Sequence, residues 1–141
     1  MNTSYTADPL PERYVVPEVD RIGFLARLFS PSLMSVGENA VYALTNTYSS
    51  NCWGLDWDFV VLGHALYMAP RTDELMCLDW GPGAWRGGFT GDAAGIIVTL
   101  QVLSQLAGIY RNRDGLCHSY DRLLEVVARQ PEAIEIFRAI E

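Results

Sequence analysis

The chain has 141 residues, half of them hydrophobic and 19% charged, and its formal net charge is −7. This length and composition are typical of a single folded domain and exclude a chain that is disordered throughout. All ten basic residues are scattered Arg, which disfavours direct binding to DNA phosphates, and the absence of Lys excludes a lysine-dependent Schiff base or phosphate loop.

The N-terminal part of the chain is rich in proline. Residues 1–17 contain three Pro and show little periodicity, so we expect a loose arm there, with a short strand at residues 13–16. The rest of the chain, residues 18–141, has no linker, repeat or low-complexity tract. The sequence therefore predicts one domain preceded by an arm.

Two helices are predicted after the arm. The first spans residues 19–29 and places Ile22 on its apolar face, at helical spacing. The second begins with an S-x-x-E capping box formed by Ser35 and Glu38, and it continues to Tyr48.

From residue 55 the hydrophobic period changes to two, which predicts antiparallel strands. The first strand spans residues 55–61 and directs Asp56 and Asp58 to an outer side that faces water. Tight turns join it to its neighbours in a meander. The further segments of this meander are residues 65–69, 74–80 and, as a strand or a loop, 84–90.

A long helix is predicted over residues 91–110, with Asp92 as its N-terminal cap. Eighteen residues from Ala93 onward carry no charge, which is the threshold length for a membrane-spanning helix. One narrow stripe of this helix is polar or glycine: Gln101, Ser104, Gln105 and Gly108. Because a helix facing lipid disfavours two Gln on one stripe, we interpret it as the buried central helix of a soluble core.

Two more helices complete the chain. One begins at Asp114 or Gly115, and the last begins at Pro131 and docks through apolar residues that include Ile134. The predicted fold class is α+β: a small antiparallel meander of three to four strands packed with about five helices, one of them central and buried.

No catalytic motif of the common hydrolases, metalloproteases or nucleotide-binding proteins is present, so we predict no enzyme activity, no cofactor and no metal. Cys117 and His118 are adjacent on a helix and point about 100° apart, and Cys117 is expected to be a small buried side chain. The alternative is a small hydrolase or metal enzyme that uses scattered cysteines and histidines. Its candidate residues are Cys52, His64, Cys77 and His118, whose spacing matches no known zinc arrangement.

An interaction surface is predicted on the meander, where acidic and tryptophan residues are concentrated. Its proposed members are Asp56, Asp58, Asp73, Glu74, Asp79, Trp53 and Trp85. Mimicry of DNA across the whole surface is not indicated. Duplex DNA as long as such a domain, roughly 37 Å, carries about 22 charges at one per ~1.7 Å.

Several segments, taken in order, resemble the ArdB/KlcA family of antirestriction proteins. They are residues 24–29 (FLARLF), Trp57, residues 66–70 (LYMAP), residues 92–96 (DAAGI), Tyr120, Leu123, residues 131–132 (PE) and residues 139–141 (AIE). The DAAGI segment is the strongest of these. The chain departs from the family's glycine pair before Trp57 and from its Asn-Gly-Gly-type turn, here residues 62–65 (LGHA), which affects turn geometry more than fold.

The resemblance implies a small, cytoplasmic, non-enzymatic protein carried by plasmids and other mobile elements. Such proteins protect incoming unmodified DNA from type I restriction–modification. The implied partner is a type I restriction–modification system, reached directly or through a host factor, with no strong DNA binding and no membrane. Neither the molecular target nor the oligomeric state follows from the sequence.

Overall fold

The computed structural model describes residues 12–49, 54–79, 88–111 and 114–140. In chain order its strands and helices are β1 (Arg13–Val15), α1 (Arg21–Phe29), α2 (Met34–Tyr48), β2 (Trp57–Leu62), β3 (Ala65–Pro70), β4 (Met76–Cys77), β5 (Gly88–Phe89), α3 (Gly91–Ile109), α4 (Asp114–Val127) and α5 (Ala133–Ile140). Short 3-10 helices precede α1 and α2. The predicted α+β class is confirmed.

The main sheet is antiparallel and has the order β1-β2-β3. The strand predicted at residues 13–16 is therefore present and pairs with β2, while residues 1–11 of the predicted arm lie outside the described residues. A two-residue loop joins β2 to β3, and Gly63 takes a φ of 64° there, a conformation that favours glycine.

β2 is buried on both faces, unlike the half-buried strand that the alternating pattern predicts. Phe59 and Val60 point to opposite faces and are both buried, as is every residue of β3. The uninterrupted apolar run after Asp58 is typical of a strand covered on both sides. The prediction that Asp58 faces water is therefore wrong, whereas Asp56 precedes β2 and is exposed.

The predicted third strand does not extend the meander. β4 is only two residues long, and it pairs with β5 in a separate two-stranded sheet rather than with β3. β5 confirms the strand alternative for the end of segment 84–90, whose residues 84–87 lie outside the described residues.

The edge of β3 that β2 leaves open is occupied by helix α3. The hydroxyl of Thr99 accepts a hydrogen bond from the Met68 amide at 3.2 Å and lies 3.5 Å from the Met68 carbonyl oxygen. A Cβ at Gly95 would lie 2.2 Å from that same carbonyl oxygen, and one at Gly91 would lie 2.4 Å from the Pro70 carbonyl oxygen. Glycines one turn apart therefore let the helix approach the strand edge, and a buried threonine satisfies its polar groups.

α3 is the centre of the core and contributes to both of its hydrophobic clusters. By length and composition it is capable of crossing a membrane, but 61% of its apolar window is buried inside the protein. The predicted polar stripe lies on its less buried side, since Ser104, Gln105 and Gly108 are exposed. The prediction of a central buried helix is confirmed.

Two helix starts differ from those predicted. Thr90, not Asp92, caps α3, because its side chain accepts a hydrogen bond from the Ala93 amide while Asp92 pairs with an arginine. α2 begins one residue before Ser35, and Glu38 accepts a hydrogen bond from the Tyr42 hydroxyl instead of closing a capping box.

Three apolar residues predicted to be buried are at the surface. Ile22 of α1 is 72% exposed and Ile134 of α5 is 67% exposed, because neighbouring positions on each helix face the core. Cys117 is also exposed, since α4 packs through Leu116 and Leu123 on its other side. The last helix begins at Ala133, two residues after the predicted Pro131.

Candidate functional site

Arg13, which lies on the edge strand β1, forms ion pairs with two carboxylates. Its guanidinium donates two hydrogen bonds of 2.9 Å to the Asp92 carboxylate, in the first turn of α3. A third, of 3.2 Å, goes to Asp58 on β2. The hydrogen bond to Asp92 is the main cause that raises the pKa of Arg13. One cation therefore ties together three segments that are far apart in sequence.

Asp58 is the buried acceptor of this network. It is 7% exposed, and its other carboxylate oxygen accepts a hydrogen bond of 2.8 Å from the Arg71 side chain, just after β3. Arg71 also lies 3.8 Å from Asp56, and hydrogen bonding to Asp58 raises its pKa. A buried carboxylate is stabilised when cations and hydrogen bonds replace its water, and two arginines do this for Asp58.

Tyr67 of β3 lies beneath the same network. Burial is the main cause that raises the pKa of its phenol, and the nearby Asp92 carboxylate adds to the effect. The hydroxyl therefore stays protonated through the neutral pH range.

A cleft of about 450 Å³ opens beside these ion pairs. Its other wall is the turn before α5, where Glu132 accepts hydrogen bonds from the Thr90 amide and hydroxyl. Its charged lining residues are Arg13, Arg71, Asp58, Asp73, Asp92 and Glu132. Four carboxylates face two arginines, so the cleft has a formal excess of two negative charges.

Two residues of the predicted interaction surface lie in this cleft, while the interaction itself stays a prediction. Asp58 and Asp73 line it, and Asp56 lies next to it through Arg71. Glu74 and Asp79 are exposed but do not line it. Trp53 and Trp85 lie outside the described residues, so their part in the surface stays a prediction.

Sequence reasoning missed the cations and two acids of the cleft. Arg13 lies in the predicted arm, Arg71 in a predicted turn, and Asp92 was assigned to helix capping. An Arg in a short strand and a carboxylate inside an apolar strand are the available signals, since a buried charge needs a partner. They indicate that partners exist but not which residues they are.

The cysteines and histidines of the alternative hydrolase or metal-enzyme hypothesis do not line the cleft, as far as the structure describes them. Within the described parts of the chain, no three His, Cys, Asp or Glu side chains are placed to hold a metal ion. Cys77 and His118 are exposed and are not part of the cleft, and Cys52 lies outside the described residues. A polar cleft with excess acid suits recognition of a complementary, positively charged surface.

The fold and the cleft define a small, acidic α+β domain with an ion-paired, negatively charged site at the start of its central helix. A family model described as "Antirestriction protein" matches residues 46–141. Together with the relatives below, this match shows that the chain belongs to the antirestriction protein family.

Two curated relatives are antirestriction proteins KlcA from Escherichia coli. The first is 35% identical over 131 residues, which cover 90% of this chain and 92% of the relative. The second is 32% identical over 133 residues, covering 89% and 90%.

A solved structure gives the same result for the fold. It comes from work on KlcA and ArdB, described as showing a novel fold and antirestriction activity against type I DNA restriction systems in vivo but not in vitro. The match has a TM-score of 0.82 and 34% identity, and it covers 100% of both chains.

Proposed function

We propose that this protein relieves type I restriction of incoming unmodified DNA by binding another protein, without catalysing a reaction. The observation that carries the proposal is the end-to-end similarity to the solved KlcA and ArdB fold, whose activity is seen in vivo but not in vitro. An activity that is lost in a purified system requires a component that the purified system lacks. We therefore propose that a host factor connects this chain to the restriction system.

The charge of the cleft supports binding to a protein rather than to DNA. Its excess of carboxylates repels phosphates, and the whole chain carries a net charge of −7. The complementary partner is a protein surface that presents Arg or Lys, and Asp73 is an exposed acid at the cleft available to such a surface. We place this action in the bacterial cytoplasm, where restriction of entering DNA occurs.

The proposal is tested by plating unmodified phage on a restricting strain and on an isogenic strain without the restriction system. Expression of the protein should raise plating efficiency only on the restricting strain. If efficiency does not rise while the protein is present and folded, the proposed function is wrong.

The site is tested separately with Asp73→Arg, which reverses the charge at the cleft. The matched control is Glu125→Arg, a reversal at an exposed position of α4 away from the cleft. Relief should be lost with Asp73→Arg and kept with Glu125→Arg. If both variants keep full relief of restriction, the cleft is not part of the interaction surface.

The role of a host factor is tested with purified type I enzyme and unmodified DNA. The protein alone should not inhibit cleavage, and addition of a cell extract should restore inhibition. Inhibition by the purified protein alone, at substoichiometric amounts, would instead indicate a catalytic action on the enzyme or the DNA.

A further inference from the structure

The outer edge of the main sheet is formed by β1, which pairs with β2 on one side only. All three residues of β1 are exposed, and Tyr14 is 55% exposed. Proline and free charges are common means of keeping other chains away from such an edge. The strand has no proline, and the guanidinium of Arg13 is held by Asp92 and Asp58. The unpaired side of β1 is therefore open to a further strand.

The register of β1 shows which of its backbone groups point outward. Directly after the strand, the Val16 amide donates a hydrogen bond of 2.8 Å to the Phe59 carbonyl of β2. Residues that exchange hydrogen bonds alternate with residues that do not in an antiparallel pair. Tyr14 therefore bonds to β2, while the amides and carbonyls of Arg13 and Val15 point away from it. Within the described residues, these outward groups make no hydrogen bond.

A groove of about 470 Å³ lies beside this edge, on the face of the sheet that α1 covers. Tyr14 and Val16 line it on the strand side, and Val19 and Gly23 line it on the helix side. Val19 is 87% exposed, and a Cβ at Gly23 would meet nothing within 4 Å. A strand added to β1 directs every second side chain to this face. The outward backbone groups and the groove together fit an extended chain that carries apolar side chains on one face.

The charges around β1 indicate which extended chain fits. Three exposed carboxylates flank the strand in sequence: Glu12, Glu18 and Asp20, of which Asp20 lines the groove. The groove has one arginine, Arg27, whereas the charge of Arg13 is matched by its own ion pairs. This excess of acid favours a basic segment. A second copy of the chain is disfavoured, because each copy carries a net charge of −7.

We propose that β1 binds an extended, basic segment of another protein, which joins the main sheet as a further strand and places an apolar side chain in the groove beside α1. Backbone hydrogen bonds to Arg13 and Val15 hold the segment. Val61 of β2 lines the groove, whereas Asp58, three residues earlier, points to the opposite face, so this surface is separate from the cleft. The proposal does not rest on the proposed function, because binding is measured with the purified chain.

Amide hydrogen exchange, followed by NMR on the isotope-labelled full chain, tests the proposal with a defined probe. The probe is a peptide with blocked ends in which valine and lysine alternate. At about ten times its dissociation constant, the peptide should slow exchange of the Arg13 and Val15 amides about tenfold. Exchange of the Tyr14 amide should change little, because this amide already bonds to β2.

A second peptide, with serine in place of valine, separates strand addition from attraction by charge alone. It carries the same charge but has no apolar side chain for the groove. It should bind at least about tenfold more weakly than the valine peptide.

Two substitutions block the surface in different ways and leave the bonds between β1 and β2 in place. Val15→Pro removes an outward amide, and Gly23→Leu fills the groove. Each should weaken binding of the valine peptide at least about tenfold. The matched control is Gly108→Leu, which adds the same side chain on α3, where a Cβ also meets nothing within 4 Å. It should leave the dissociation constant within about twofold.

Circular dichroism shows whether the variants are folded, and if Val15→Pro is not, Gly23→Leu decides. Slow exchange of the Val15 amide in the free chain overturns the proposal, because the edge is then already paired. Equal binding of the two peptides overturns it as well, and so does a valine peptide that fails to slow the exchange of this amide. A loss of binding that Gly108→Leu shares with Gly23→Leu has the same consequence.

Discussion

Replacing Gly95 with Ala tests the contact between α3 and the edge of β3. The new Cβ would lie 2.2 Å from the Met68 carbonyl oxygen, 2.6 Å from Ala69 Cα and 2.9 Å from Ala69 Cβ. Two of these are backbone atoms of a strand that pairs with β2, so they have little freedom to move. The helix must therefore shift away from the strand.

The size of the shift gives the expected cost. Restoring ordinary contact distances requires a displacement of about 1 Å, which loosens both hydrophobic clusters beside α3. Overpacking of this kind costs typically 1–3 kcal/mol and sometimes more, against a gain of about 1 kcal/mol from the higher helix propensity of Ala. Since the obstacle is backbone, the cost should lie at the upper end of this range, so that after the gain of about 1 kcal/mol we expect a net loss of about 2 kcal/mol in the free energy of unfolding.

Urea denaturation followed by circular dichroism measures this change. The matched control is Gly108→Ala in the same helix, where the added Cβ meets nothing within 4 Å. It should stabilise the protein by about 0.5–1 kcal/mol. If Gly95→Ala is as stable as the unmodified chain, α3 does not pack against β3 as described.

The remaining predictions concern the ion pairs, the helix cap and the response to pH. Asp58→Asn should lower the free energy of unfolding by about 1–2 kcal/mol in urea denaturation, because a buried acceptor of two arginines loses its charge. Asp56→Asn, at an exposed position, should change the free energy of unfolding little. Equal effects of the two substitutions would contradict the ion-pair network. Thr90→Ala should lower the free energy of unfolding by about 1 kcal/mol in urea denaturation, because it removes the cap of α3. Ser35→Ala should leave it almost unchanged. A larger effect of Ser35→Ala would instead support the capping box predicted from the sequence. Burial raises the pKa of Tyr67, so its contribution to stability is fully present below about pH 10, the ordinary phenol value, and is lost as pH rises toward the folded pKa. Unfolding free energies measured at increasing alkaline pH should decline less for Tyr67→Phe, and an unchanged decline would contradict the assignment.

Long periodic segments were predictable from the sequence because their pattern has one physical solution. α3 combines length, lack of charge and a single polar stripe, and its observed range agrees with the predicted one within a residue. α4 is similar, since Leu116 and Leu123 recur at helical spacing and are buried. In both helices the local pattern and the packing favour the same structure.

The cleft was not predictable in the same way, because its geometry depends on contacts between distant segments. Arg13 and Asp92 are 79 residues apart, and nothing local to either of them identifies the other. Asp58 appeared to face water because alternation around it fits a half-buried strand as well as a strand covered on both sides. The covering elements decide between these, and a single strand pattern does not specify them.

The two-residue strand β4 was mispredicted for a different reason. Apolar residues at 76 and 78 are buried and fit a strand pattern, but residues 74 and 75 are exposed and do not pair with β3. The short connection after β3 favoured an antiparallel neighbour, yet the edge of β3 was already occupied by α3. A helix that competes for a strand edge leaves no trace in the sequence of the strand itself.

The contacts of Arg13 and of α1 also bear on how this chain can be shortened. The family match begins at residue 46, inside α2. Of the fifteen buried residues in the hydrophobic cluster that contains Phe59 and Leu116, seven precede that position. A fragment confined to the matched segment would expose Phe59 and leave Asp58 without one of its two arginines. The smallest unit expected to fold is therefore longer than the segment by which the family is recognised. A fragment that begins at residue 46 should be insoluble when it is expressed.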